Sequence, residues 1–155
     1  MTSTEGVHLI RGVAIRYVGA RRRVAEKIAS PAEAARFFRQ RIHDDAREHF
    51  IALYLDGRHR AIADAVVSIR TATASLIHPR EVFQPAIAVG ACALMIRHNH
   101  PSRDPSPSPE DSKVTRRLAV AGRILAIVLI DHIVWRRTGG HHAIRESHRH
   151  VLAGE

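Results

Sequence analysis

One cysteine, Cys92, stands in a chain of 155 residues. No disulfide can form within the chain, and a reducing cytoplasm is the expected location. Long apolar runs are missing too. Nothing approaches the ~20 residues of a membrane span, so no membrane partner is expected. Residues 1–8 are polar and lack the positive-then-apolar order of a secretion signal. Aromatic residues make up 5% of the chain, and Trp135 and Tyr17 are too sparse to suggest a stacking platform for single-stranded nucleic acid. Acidic residues are in deficit, with 15 Asp plus Glu against 24 Lys plus Arg and a formal charge of +9. That balance favours anionic partners such as nucleic acid or an acidic protein face, although it serves general solubility equally well.

What is present reads as one soluble domain. Apolar residues are 45% and charged residues 25%, enough for an ordinary hydrophobic core at this length. Residues 1–30 read as a basic arm, with a candidate strand at residues 13–18 and the cluster Arg21, Arg22, Arg23. Ser30-Pro31-Ala32-Glu33 is a helix start, with serine at the N-cap, proline at N1 and glutamate at N3. Ala34, Phe37, Phe38 and Ile42 continue at helical spacing, which predicts a helix ending near Asp44 or Asp45. Glu48 to Leu55 (EHFIALYL) reads as a buried strand, Asp56-Gly57 as a turn, and residues 60–69 as the second strand of a hairpin. Pro79 opens another helix, reaching at most Ala91 despite Pro85. Residues 93–97 (ALMIR) read as a core strand leading into His98-Asn99-His100. A loop follows, then a helix from Ser108 to about Ala121, stopped by Gly122. Residues 124–133 read as a strand, and the remainder from Arg136 as a polar, His-rich tail. Alternating strands and helices in one small domain predict a mixed α/β sandwich.

The densest chemistry lies at the end of the 93–97 strand. Histidines at i and i+2 of a strand point to the same side of the pleat, so His98 and His100 can face one ion. Asp111, in the first turn of the next helix, can complete three protein ligands. Two imidazoles and one carboxylate leave a fourth position for water, the composition of a catalytic zinc site rather than a closed structural one. Each part also has a plainer reading. Ser108-Pro109-Glu110-Asp111 is a helix start on its own, and a bare H-x-H describes two loop histidines equally well.

The combination His98-x-His100, seven intervening residues, Ser108-x-x-Asp111 resembles the signature of the JAMM (JAB/MPN) metal-dependent proteases. The flanking segments LIHPREVF at residues 76–83, His98-Asn99-His100-Pro101-Ser102 and Asp131-His132-Ile133 look like the RadC branch of that superfamily. The resemblance spans roughly residues 30–146, which sets the domain expectations: a basic arm over 1–30, a RadC-like JAMM domain over 31–146 and a His-rich tail over 147–155. It implies a three-layer α/β/α, cytidine-deaminase-like fold with a mixed sheet and a catalytic Zn2+ held by His98, His100 and Asp111. It further implies that Glu48 is the general base and acid, that Ser108 stabilises the oxyanion, and that the substrate is a protein or peptide cleaved at a peptide or isopeptide bond. The alternative is a DNA-repair-associated or mobile-element accessory protein that binds DNA through its basic surface without peptidase activity. Exposed sheet edges in such a fold would support a homodimer. Residues 1–30 are too short for the helix-hairpin-helix region of longer RadC proteins, so the resemblance is to the short form. Arg103 stands where glycine is usual, and residues 139–146 lack the aromatic-serine-aromatic character typical of that stretch.

Other features invite readings of their own. The literal His98-Asn99-His100 triplet is not the HNH nuclease motif, whose residues are spread over a ββα unit. His141, His142, His148 and His150 read as solvated rather than as a second metal site. Cys92, ahead of a core strand, reads as an inert buried thiol.

Overall fold

A computed structural model describes residues 27–40, 47–70, 77–100, 106–136 and 140–153. The candidate strand at 13–18, the arginine cluster and Arg103 lie outside them. Helix α1 (Pro31–Arg39) starts at the capping box read from the sequence. Ser30 Oγ accepts from Glu33 N–H, and the Glu33 carboxylate accepts from Ser30 N–H. It ends at Arg39, short of Asp44, because the Gln40 N–H turns back onto the Phe37 and Phe38 carbonyls and tightens the last turn. Strand β1 (Glu48–Leu55) has the expected bounds, and β2 (Ala61–Arg70) forms the hairpin with it. Asp56 shapes the turn, its Oδ1 accepting from the Arg58 and Arg60 amides.

Helix α2 (Pro79–Ala88) carries Pro85 within it. Strand β3 (Ala93–His100) runs past residue 97 and takes in the whole His-Asn-His triplet. The extension has a cause: β3 lies between β1 and β4, and His98, Asn99 and His100 pair with Val134, Trp135 and Arg136 of β4 (Val128–Arg136). Helix α3 (Pro109–Ile124) runs through Gly122 rather than stopping there. A Cβ at Gly122 would collide with the Ile127 carbonyl and sit 3.3 Å from the Phe83 ring. This glycine therefore serves close packing, not termination. The chain leaves the helix at Leu125 and Ala126, the latter at φ +55.

The segment read as a polar tail from Arg136 is partly built into the fold. It supplies β5 (His141–Ala143), α4 (Ile144–Ser147) and α5 (Arg149–Ala153). Val151 is buried against Val134 and Ile144. Its apolar residues come as two short groups, Ala143-Ile144 and Val151-Leu152-Ala153, too brief to mark a run or a period in the sequence. Asp131 fastens this segment to β4, its Oδ1 accepting from the Arg145 and His132 amides at 3.0 and 2.7 Å. Burial pushes the Asp131 carboxyl up from its ordinary value.

The sheet order is β2-β1-β3-β4-β5, with β3 and β4 parallel and the other neighbours antiparallel. Alternation sorts the side chains onto two faces. Phe50, Ala52, Tyr54, Leu94 and Ile96 pack under α2 and α3 with Val82, Phe83 and Leu118. Ile51, Leu53, Leu55, Ala93, Met95 and Ile133 pack under α1 with Ala34 and Phe38. The architecture is the expected three-layer α/β/α with a mixed sheet. Cys92 departs from expectation: it is exposed, one residue ahead of β3. Among the described residues no helix is long and apolar enough to cross a membrane.

Candidate metal centre

The face of the sheet under α3 carries the site. His98 and His100 follow Leu94 and Ile96 at two-residue steps, so their rings emerge where the apolar face runs out at the C-terminal end of β3. The first turn of α3 brings Asp111 to them. Nitrogen and oxygen atoms of His98, His100 and Asp111 all lie within 4.8 Å of one another. Asp111 Oδ1 is 3.1 Å from His98 Nε2, and His100 Nε2 donates to Asp111 Oδ2 at 3.0 Å.

Two observations test whether the trio suits a metal ion. His98 is 1% exposed, and its Nε2 has no hydrogen-bond partner among the described residues, although Asp111 Oδ1 is so near. A buried ring nitrogen and a carboxylate oxygen that approach without an aligned hydrogen bond are suited to a shared cation. The spacing also fits: donors at the ~2.0–2.1 Å zinc distances of a tetrahedral site lie about 3.3 Å apart, close to the 3.1 Å between His98 Nε2 and Asp111 Oδ1.

The carboxylate is held from behind. Ser108 N–H and Oγ–H both donate to Asp111 Oδ2 at 2.7 Å, and Asp111 N–H donates back to Ser108 Oγ at 3.1 Å. This is the N-terminal capping box of α3. Oδ2 is thereby occupied, and Oδ1 is the oxygen turned to His98. Burial acts to raise the Asp111 pKa, but the hydrogen bonds the carboxylate accepts from His100 and Ser108 outweigh it and hold the carboxyl well below the usual range.

Glu48, the first residue of β1, is half-buried. Phe50, two residues on, pairs with His98 and stacks on its ring at 6.1 Å and 14°. Alternation therefore sets Glu48 on the face that carries the imidazoles, one step beyond Phe50. Asn99 fixes that end of the strand from the opposite face. It is 1% exposed, its Oδ1 accepts from His49 N–H at 2.7 Å, and its Nδ2 donates to the Arg47 carbonyl at 2.7 Å. The two bonds bracket Glu48.

Three residues given no role from the sequence complete the surroundings: Asn99, Thr115 and His132. His132 is fully buried on β4, with Nε2 2.7 Å from His98 Nδ1 and Nδ1 2.6 Å from Thr115 Oγ1. Thr115 Oγ1 donates to the Asp111 carbonyl at 2.6 Å. Burial lowers the His132 pKa well below its ordinary value and keeps the ring neutral. A signal for them existed. His132 interrupts an apolar strand, where a polar group needs a partner, and Thr115 falls one helical turn after Asp111. Of the distal histidines, His142 and His148 share Ser147 Oγ at 2.6 Å each. No group of three potential ligands other than His98, His100 and Asp111 occurs among the described residues.

A family model described as a RadC-like JAB domain matches residues 28–149. UPF0758 proteins are similar over most of the chain. One from Trichlorobacter lovleyi is 44% identical over 119 residues, covering 77% of this chain and 52% of the relative. One from Pelobacter propionicus is 40% identical over 134 residues, 86% of this chain and 58% of the relative. One from Methanosarcina acetivorans is 43% identical over 108 residues, 70% of this chain and 47% of the relative. The chain spans about half the length of the curated relatives it matches.

Proposed function

The chain belongs to the RadC-like JAB domain family, and on that premise we propose that it is a zinc-dependent hydrolase of peptide or isopeptide bonds. The observation that carries this reading is the buried His98 Nε2, without a hydrogen bond, facing Asp111 Oδ1 at 3.1 Å beside His100. His98, His100 and Asp111 would hold the ion. When bound, zinc polarises a carbonyl and lowers the pKa of a water in its open position towards ~7.

The remaining chemistry falls to side chains of this protein. Glu48 takes a proton from the attacking water and delivers it to the leaving amine nitrogen. Its place on the imidazole face, bracketed by the Asn99 bonds, suits a proton carrier that must stay in one position. Ser108 Oγ–H turns from Asp111 towards the carbonyl oxygen as charge develops there, while Ser108 N–H keeps its hold on Oδ2. Phe50 and the buried His132 exclude water from the inner side of the site. A cytoplasmic location accords with a single cysteine that has no partner in the chain.

The test is zinc content together with cleavage of peptide and isopeptide-linked substrates by the purified chain. Glu48→Gln should keep zinc and lose cleavage by at least ~100-fold, within the range of general acid–base contributions. Cleavage that survives Glu48→Gln would remove Glu48 from its role, and an absence of zinc would remove the reading altogether.

The charge of +9 favours a second reading, a DNA-binding accessory protein. Titration with duplex DNA at rising salt decides it. Binding that weakens steeply with salt and is retained in Glu48→Gln would support that reading. No binding at low salt would end it.

A further inference from the structure

We propose that Thr115 and His132 are positioning residues that fix which nitrogen of His98 carries the proton, leaving Nε2 bare for a metal ion. The proposal rests on the zinc reading for its purpose, but its geometry is independent of any ion.

The chain of contacts has a direction. It ends on the main-chain carbonyl of Asp111, which can only accept. At 2.6 Å the Thr115 hydroxyl must donate to that oxygen, and a hydroxyl has one proton. His132 Nδ1, 2.6 Å from the same Oγ1, must then be the donor in that contact. Among the described residues the two ring nitrogens of the fully buried His132 meet only Thr115 and His98 and no carboxylate, so the ring is neutral and its other nitrogen, Nε2, is an acceptor. It faces His98 Nδ1 at 2.7 Å, which must therefore carry a proton. A neutral His98 protonated on Nδ1 has its lone pair on Nε2, the atom without a hydrogen bond that points at Asp111 Oδ1.

The arrangement closes on itself. Asp111 offers its side chain to the ion and its main-chain carbonyl to the relay that sets the state of His98. Thr115 stands one helical turn below Asp111 and His132 on the neighbouring strand β4, so α3 and β4 must both be docked for the relay to exist. Metal-binding imidazoles depend on such outer partners, whose loss lowers metal affinity by about 10–100-fold.

The experiment uses the full chain labelled with 15N-histidine. Two-bond proton–nitrogen correlation spectra, assigned with His98→Gln and His132→Gln, read the protonated nitrogen of His98 with chelator and with zinc. Competition with a chromophoric chelator reads zinc affinity. The expected results are an Nδ1–H tautomer for His98 in both states, and zinc affinity lowered about 10–100-fold in Thr115→Val. Thr115→Ser, which restores the hydroxyl, should bind within a few-fold of the parent, a rescue that a purely packing role for Thr115 would not give. An Nε2–H tautomer for His98 in the chelator-treated parent, or unchanged zinc affinity in Thr115→Val, would overturn the proposal. If the parent binds no zinc, the hydrolase reading fails, and the tautomer spectrum alone still decides the relay.

Discussion

Ser108 and Asp111 hold each other reciprocally: the serine amide and hydroxyl both donate to Asp111 Oδ2, and the Asp111 amide donates back to the serine oxygen. Helix capping and support of the proposed ligand carboxylate are here the same three contacts. A polar group that starts a helix has been placed where its partner carboxylate meets two imidazoles. Ser108→Ala should therefore fail in two ways. Loss of the cap should cost about 1 kcal/mol in urea unfolding, and zinc affinity should fall because Oδ2 loses its anchor. Ser108→Thr should retain most of both. A variant that loses stability but keeps full zinc affinity would separate the cap from the site.

Asn99 predicts a different pattern. Its side chain satisfies one main-chain donor and one acceptor on either side of Glu48. Asn99→Ala leaves both without that partner, at an expected cost of about 1–3 kcal/mol. Zinc stoichiometry should stay at the parent value, since Asn99 faces away from the imidazoles, while cleavage should fall with the misplacement of Glu48. Loss of zinc in a folded Asn99→Ala protein would contradict this division.

Gly122 gives a prediction whose sign discriminates. In an exposed helix interior, glycine to alanine stabilises by up to about 1 kcal/mol. Here the added methyl would meet the Ile127 carbonyl and the Phe83 ring, so Gly122→Ala should destabilise by about 1–3 kcal/mol. Thermal or urea unfolding decides. A stabilised variant would mean that α3 does not pack as closely as described.

Acid should weaken the contribution of Asp111. Its carboxyl is held well below the ordinary range, so the folded protein favours the ionised form more than the unfolded chain does. That contribution is fully present above the unfolded value of ~3.9 and is lost as pH falls from there through the folded value. In chelator-treated protein, the stability gap between the parent and Asp111→Asn should be largest near neutral pH and shrink below pH ~4. A gap that widens in acid would contradict the cause assigned to the shift.

How far these features could be read from the sequence depended on how locally they are encoded. Capping boxes are written in four consecutive residues, so the starts of α1 and α3 were legible to the residue at Ser30 and Ser108. The hairpin was legible from EHFIALYL and Asp56-Gly57. His98, His100 and Asp111 were legible as a group because strand alternation and a helix first turn are short-range geometry. Helix ends were not, since Gly122 looks like a stop until the Ile127 carbonyl is seen against it. The last strand and helices hang on a few apolar residues such as Ile144 and Val151, which are buried only by meeting each other and Val134 of β4. The relay was hidden for the same reason: Thr115 and His132 are 17 positions apart and meet only when α3 docks on β4.

Binding of one zinc ion by His98, His100 and Asp111 is what the proposed chemistry depends on. The most direct measurement is zinc-edge X-ray absorption, with metal quantification, on the full chain reconstituted with zinc and passed over a desalting column. One ion per chain is expected, surrounded by two imidazole nitrogens and oxygen and no sulfur at ~2.0–2.1 Å, and lost in His98→Ala, His100→Ala and Asp111→Ala. Substoichiometric zinc, or zinc retained when all three are replaced, would contradict it.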